Sequence, residues 1–129
     1  MNELLLLIVN SFWFILPAYF ANGTPVLSGS KFIKKYNFRI DCGLKFKGKP
    51  LFGPHKTVIG FLLGILAAII VGALQISLQT NLSTSFFEMT FKLAIILGFG
   101  ALFGDLTASF IKRRIGLKSG AKAPALLDQ

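Results

Sequence analysis

The sequence predicts an all-α, polytopic integral membrane protein with about three transmembrane helices. Three observations carry this prediction. The 129-residue chain is 53% hydrophobic, its apolar residues fall in three long runs, and its basic residues gather between the first two runs and after the third. A span needs roughly 20 predominantly apolar residues to cross ~30 Å of hydrocarbon. Backbone polar groups inside lipid must bond within their own segment, so each run is read as a helix. The chain is read as a single membrane domain over 1–129, with spans at about 4–21, 58–78 and 93–111. A long loop occupies 22–57 and a tail 112–129.

The first run, Leu4 to Ala21, has the position of a secretory signal but not its grammar. Its flank, Met1-Asn2-Glu3, has no Lys or Arg, and no small-residue cleavage site follows, so a retained span is expected. Pro17 is expected to kink this helix or mark its last turns, because proline removes a backbone donor. Asn10 and Ser11 lie mid-span and are expected to face another helix rather than lipid. In the second run, Val58 to Leu78, Gly60, Gly64, Ala68 and Gly72 recur every four residues. That spacing puts them on one helix face, where small side chains let a neighbouring helix approach closely. The third run, from about Leu93 to Ile111, aligns Ala94, Gly98, Ala101, Asp105, Ser109 and Lys112 along one side.

The formal net charge is +9. Lys31, Lys34, Lys35, Arg39, Lys45, Lys47, Lys49 and Lys56 precede the second span, and Lys112, Arg113, Arg114, Lys118 and Lys122 follow the third. The short connection from Gln79 to Thr90 is nearly uncharged, with Glu88 near its end and Lys92 just beyond. The positive-inside rule therefore sets both basic segments and the carboxyl terminus in the cytoplasm, with the amino terminus outside. With apolar spans, the basic charge points to the lipid bilayer, anionic headgroups and anionic small molecules, and not to nucleic acid. Phe32, Ile33 and Tyr36 interleave with Lys31, Lys34 and Lys35 and suggest a short interfacial turn. Cys42 is the single cysteine and His55 the single histidine, which excludes an internal disulfide and argues against zinc. No serine or cysteine nucleophile constellation is visible. No internal repeat or pair of broken helices suggests a transporter.

Asp105 is the most informative residue. A charge within a span costs ~2.5–3.5 kcal/mol at the helix centre on insertion scales. Asp105 lies about two turns from the basic end of the third span, on the small-residue side, so it looks inward. It can serve as an internal salt bridge or as a Mg²⁺ ligand, since Mg²⁺ takes one or two carboxylates together with phosphate oxygens. The run Ser109-Phe110-Ile111-Lys112-Arg113-Arg114 is an ordinary basic anchor that could also receive phosphates. Gly53-Pro54-His55-Lys56-Thr57 leads into the second span. It is not a Walker A loop, because Pro54 and His55 precede Lys56 and Pro54 lacks the amide an anion nest needs. A helix amino terminus with Lys56 beside it remains a fair anion site.

Several blocks together carry a resemblance. Leu16-Pro17-Ala18-Tyr19-Phe20-Ala21-Asn22-Gly23-Thr24-Pro25 ends the first span, and Gly53-Pro54-His55-Lys56-Thr57 opens the second. Gly98-Phe99-Gly100-Ala101-Leu102-Phe103-Gly104-Asp105-Leu106 leads into Ser109-Phe110-Ile111-Lys112-Arg113-Arg114. Gly116, Lys118, Pro124 and Leu126-Leu127-Asp128-Gln129 follow. In this order, over nearly the whole chain, they resemble the CDP-archaeol synthase (CDP-2,3-bis-(O-geranylgeranyl)-sn-glycerol synthase) family, relatives of the phosphatidate cytidylyltransferases. The resemblance implies a CTP-dependent cytidylyltransferase that makes a CDP-activated lipid from a dialkylglycerol phosphate, with Mg²⁺ as cofactor and pyrophosphate as co-product. It implies catalytic roles for Asp105 and Lys112, and Mg²⁺ on Asp105 and Asp128. It implies substrate contacts from Asn22, Lys56, Thr57, Ser109, Arg113 and Lys118. The resemblance also implies a plasma membrane as the location.

The chain departs from that pattern in two places. Family members often carry Trp-Arg-Gly after Lys-Thr, where this chain has Val58-Ile59-Gly60. The family also continues past Leu-Asp-Gln with an acidic position and about two more spans, whereas this sequence stops at Gln129. A homodimer is one way to supply the remaining part. The competing expectation is a non-catalytic small membrane protein, a shortened or degraded paralogue that binds anionic lipid or a partner helix. Whether the lipid has ether or ester chains is not written in any motif.

Overall fold

A computed structural model describes residues 2–25, 38–81 and 87–117. Helix α1 runs Glu3–Gly23, α2 Val58–Asn81 and α3 Phe91–Arg114. Between α1 and α2 lies a small hairpin, β1 (Lys45–Phe46) paired antiparallel with β2 (Lys49–Pro50). All three helices are long and apolar enough to cross a membrane. Each exceeds its predicted span by a few residues, because the polar turns that the bilayer no longer requires to be apolar still gain from helical bonding.

Local chemistry accounts for the ends. At the start of α3 the Thr90 hydroxyl accepts from the Leu93 N–H at 3.2 Å, a side-chain N-cap. The end of α3 closes in a Schellman motif. The Leu117 N–H reaches the Lys112 carbonyl at 3.0 Å and the Gly116 N–H reaches that of Arg113 at 3.3 Å. Gly116 has φ +87°, the left-handed geometry that this motif assigns to glycine. Lys112, Arg113 and Arg114 fill the last turn, where cations complement the helix dipole. Helix α1 continues through Pro17 for six further residues to Gly23, so the proline does not end it, and its ring is fully buried in the bundle.

The three helices each touch the other two. Gly60, Gly64, Ala68 and Gly72 are all buried, as their spacing predicts. A Cβ on Gly72 would overlap that of Ala94, and one on Gly98 would overlap that of Ala68. A Cβ on Gly64 would lie 2.8 Å from the Ala21 carbonyl oxygen and 2.9 Å from the Leu102 side chain. The seam is therefore set by backbone approach, the packing that lipid favours. On α3 the buried column is Ala94, Gly98, Leu102 and Ser109, while Ala101 and Asp105 are half-buried. The seam here follows the four-residue step and takes Leu102, where the small-residue pattern expected Ala101. Ala21, Ala68 and Leu102 form the core, with Phe61 and Ile65 against it.

Large apolar side chains cover the outer surface, among them Phe12 and Ile15 on α1, Leu62, Leu66, Ile70 and Leu74 on α2, and Ile96, Phe99 and Phe103 on α3. So much exposed apolar area suits hydrocarbon and not water. Polar residues within the spans are used for pinning. The buried Gln75 donates to the Trp13 carbonyl at 2.6 Å. The Gln79 amide exchanges two bonds with the backbone of Met89, at 2.9 and 2.8 Å. The Asn10 side chain accepts from the Phe87 N–H at 3.0 Å. Ser11 corrects the expectation that it faces another helix. It is exposed and its hydroxyl donates to the Leu7 carbonyl of its own helix at 2.8 Å, a local bond that satisfies it without a neighbour.

The segment from 38 to 57 is more structured than a simple polar loop. The hairpin turn at Lys47-Gly48 has φ +51° and +76°, the signature of a type I′ turn. Arg39 bridges to Thr57. The interfacial turn expected at Lys31 to Tyr36, and the tail residues Lys118, Lys122 and Asp128, lie outside the described residues.

Candidate functional site at the loop-facing helix ends

Folding of the 38–57 segment brings Lys56 onto α3. Its ammonium makes an ion pair with Asp105 Oδ2. The two side chains are 26% and 37% exposed respectively, so the pair is open on one side. It stands in a shallow, half-open cleft lined by Pro25, Ile40, His55, Lys56, Thr57, Phe61, Leu102, Asp105 and Leu106. The lining is mixed: His55, Lys56, Thr57 and Asp105 are polar, and Pro25, Ile40, Phe61, Leu102 and Leu106 are apolar. Thr57 is the N-cap of α2, its hydroxyl accepting from the Gly60 N–H at 3.2 Å. The positive end of the α2 dipole therefore opens into the cleft beside Lys56.

The cleft thus unites Lys56, Thr57 and Asp105 of the expected site residues. Asn22 is exposed at the end of α1 and is not among the lining residues, where Pro25 stands instead. Ser109 is buried one turn beyond Asp105, and Lys112 is half-buried further on. Arg113 donates from Nε to the Phe52 carbonyl at 3.4 Å and from its terminal nitrogen to that of Leu117. Lys118 and Asp128 lie outside the described residues. Among the described residues no group of three or more His, Cys, Asp or Glu side chains converges. Asp105 offers one carboxylate, which fits a Mg²⁺ that takes most of its ligands from phosphates and water.

Three residues outside the expected set of site residues also stand at this end of the bundle. Arg114 clamps the hairpin to α3. Its guanidinium donates to the carbonyls of Phe46, Lys49 (3.2 Å) and Pro50 (2.7 Å). It also stacks over the rings of Phe46 and Phe110, 5.4 and 4.9 Å from their centroids. Asp41 is buried in the loop and accepts from three backbone N–H groups. Burial alone would raise its carboxyl, but the amides of Gly43, Phe52 and Gly53, with Arg39 nearby, outweigh that and hold it below the ordinary range. The Asp41-Cys42-Gly43 sequence is the one legible signal, an Asx-turn spacing in which aspartate meets an amide two residues on. His55 is exposed on the rim of the cleft, and its rarity in the sequence, not its spacing, is what marks it.

Three helices long and apolar enough to cross a membrane, with a cleft of mixed lining at their basic end, define a polytopic helical membrane protein. Comparison with known proteins makes the class specific. The family model for CarS-like proteins, CDP-archaeol synthase, matches residues 4–129. A CDP-archaeol synthase of Thermococcus onnurineus is 44% identical over 117 residues, covering 90% of this chain and 65% of that protein. One from Pyrococcus furiosus is 39% identical over 120 residues, covering 92% and 67%. A solved structure, described as an intramembrane enzyme for archaeal membrane lipids biosynthesis, superposes with a TM-score of 0.72 at 35% identity, covering 92% of this chain and 68% of that one. The chain belongs to the CDP-archaeol synthase family and is a multi-pass membrane protein. It spans about two thirds of the length of the curated relatives it matches.

Proposed function

We propose that this protein takes part in forming a CDP-activated lipid, transferring a cytidylyl group from CTP to a dialkylglycerol phosphate and releasing pyrophosphate. The observation that carries this reading is the part-exposed Lys56–Asp105 pair in a cleft whose lining mixes polar and apolar side chains, in a chain of this family. The apolar side chains suit the glycerol end of a lipid, and the ammonium and the α2 amino terminus suit its phosphate. In the reaction a lipid phosphate oxygen bonds to the α-phosphorus of CTP, and the bond to the β-phosphate oxygen breaks with departure of pyrophosphate. No covalent enzyme intermediate is required, so the protein contributes positioning and charge neutralisation. Lys56 exchanges Asp105 for a substrate phosphate, which releases the Asp105 carboxylate into the cleft. Asp105 would be the carboxylate that holds Mg²⁺, with Asp128 the second that the family pattern implies, and the metal would supply neutralisation of phosphate charge. Lys112 adds positive charge at the same end of α3, and the family pattern gives Lys118 a like role. With the loop and the carboxyl end in the cytoplasm, the cleft opens to the compartment that holds CTP.

One observation favours a second reading. Lys56 and Asp105 already satisfy each other, as in a purely structural tie between loop and bundle. The protein, purified in detergent and supplied with CTP, Mg²⁺ and a dialkylglycerol phosphate, separates the two. CDP-lipid and pyrophosphate from the wild type, lost in Asp105→Asn, establish the transferase. No product from the wild type, where one of the longer relatives is active under the same conditions, leaves the structural tie.

A further inference from the structure

Asp41 lines no part of the cleft, yet it is only 4% exposed while Cys42, Gly43 and Leu44 beside it are open to solvent. Its carboxylate is filled by the backbone of its own loop. Oδ1 accepts from the Gly43 N–H at 3.0 Å, and Oδ2 accepts from those of Phe52 at 3.2 Å and Gly53 at 3.5 Å. These bonds join two stretches that also meet at the hairpin base, where the Leu51 N–H donates to the Leu44 carbonyl at 3.2 Å, and around Lys56. The Lys56 N–H donates to the Gly53 carbonyl at 3.3 Å, the Ile40 N–H donates to the Lys56 carbonyl at 2.9 Å, and the Val58 N–H donates to that of Phe38 at 3.0 Å. Lys56 is thus gripped at both backbone groups by the segments that Asp41 ties together. Arg113 closes the grip from the side of α3. Its Nε donates to the Phe52 carbonyl, and a Cβ on Gly53 would come within 3.1 Å of that nitrogen. Gly53 also has φ +106°, a backbone geometry that side chains disfavour.

We propose that Asp41 is a positioning residue for the cleft, its carboxylate fixing the backbone at Phe52-Gly53 and thereby holding the Lys56 ammonium against Asp105. In its consequence for substrate binding this rests on the Lys56–Asp105 cleft being the substrate site; in its geometry it stands alone. Asparagine cannot replace Asp41. A carboxamide has a single acceptor oxygen, so it serves either Gly43 or the Phe52–Gly53 pair and turns an NH₂ group toward the other donors. Where the oxygen serves Gly43, the buried Gly53 N–H goes unpaired, and the Gly53 turn gains a reason to move.

The test uses the full chain with ¹³C-labelled aspartate carboxyls. The sequence has aspartates only at 41, 105 and 128, so the spectrum is sparse, and Asp105→Asn assigns the signal of interest. Lys56→Met gives the Asp105 carboxyl shift without its ammonium partner. Asp41→Asn is expected to move the Asp105 signal, at fixed pH, at least half of the way to the Lys56→Met value. It is also expected to weaken Mg·CTP binding about tenfold, the scale of one charged hydrogen-bond group, with no further loss when added to Lys56→Met. An Asp105 signal unmoved in a helical Asp41→Asn protein overturns the proposal, as does a loss of binding fully additive with Lys56→Met. Where Asp41→Asn does not retain its helices, Asp41→Glu carries the same test with the charge kept, and an unmoved Asp105 signal there overturns it equally. A wild type that binds no Mg·CTP contradicts the substrate-site reading alone, and the carboxyl shift still decides the positioning role.

Discussion

The seam between α2 and α3 and the loop from 38 to 57 are held by opposite means. The seam is backbone against backbone, with Gly72 on Ala94 and Gly98 on Ala68, and almost no polar group takes part. The loop has no comparable apolar core. It is held by side chains bonded to main chain, with Asp41 on three amides and Arg113 and Arg114 on carbonyls. In lipid, close packing replaces the hydrophobic drive between helices. In the watery segment, charged groups organise a chain too short to bury a core. The cleft forms where the two kinds of order meet, with Asp105 contributed by the bundle and Lys56 by the loop.

The difference can be broken most severely at the seam. Gly98→Leu inserts a side chain where even a Cβ overlaps Ala68, and overpacking costs ~1–3 kcal/mol or more. The expected result is loss of monodisperse helical protein in detergent, read by gel filtration and thermal unfolding. Asp105→Asn is expected to leave the fold intact while lowering CDP-lipid formation by about 10²–10³, the range for removing one preorganised electrostatic group. Arg114→Met removes bonds to three hairpin carbonyls at ~1.5–3 kcal/mol per charged hydrogen bond before relaxation. Hydrogen exchange is expected to accelerate at 44–51 with α2 and α3 unchanged. A slowed or unchanged loop would show that the hairpin holds itself.

Acid offers a gentler probe of the same contrast. The Asp41 carboxyl lies below its ordinary range when folded, so its contribution is full above the unfolded value of about 3.9 and is lost as pH falls through the lower folded value. The amide proton shifts of Gly43, Phe52 and Gly53 are expected to stay constant down to about pH 4 and to move below it, ahead of any change in the helices. Ser11→Ala is the smallest case. Its hydroxyl bonds only within its own helix, so a stability change within about 0.5 kcal/mol is expected.

The bundle was legible in the sequence because its rule is periodic. Gly60, Gly64, Ala68 and Gly72 announce a face at every fourth residue, and the structure buries all four. One slip, Ala101 for Leu102, arises because a step of three and a step of four are both compatible with a helix face, and another, Ser11, because a hydroxyl can bond within its own helix. Asp105 was legible because charge within an apolar run is costly. The hairpin was not, since strands of two residues show no alternation. Nor was the role of Asp41, whose partners at 52 and 53 are reached only through the fold. Arg113 and Arg114 read as an anchor or a phosphate contact, because a basic run looks the same whether it faces solvent, lipid phosphate or a backbone carbonyl.

The position of the cleft is the claim on which the functional reading turns, and photolabelling addresses it most directly. A dialkylglycerol phosphate carrying a photoreactive group next to its glycerol is irradiated with the protein in a bilayer nanodisc, and the adduct is mapped by mass spectrometry. Labelling at Phe61, Leu102 or Leu106, reduced by Lys56→Met, is the expected result. Labelling confined to the outer stripe of Leu62, Leu66 and Ile70, with no effect of Lys56→Met, would contradict a lipid-phosphate site between the loop and the bundle.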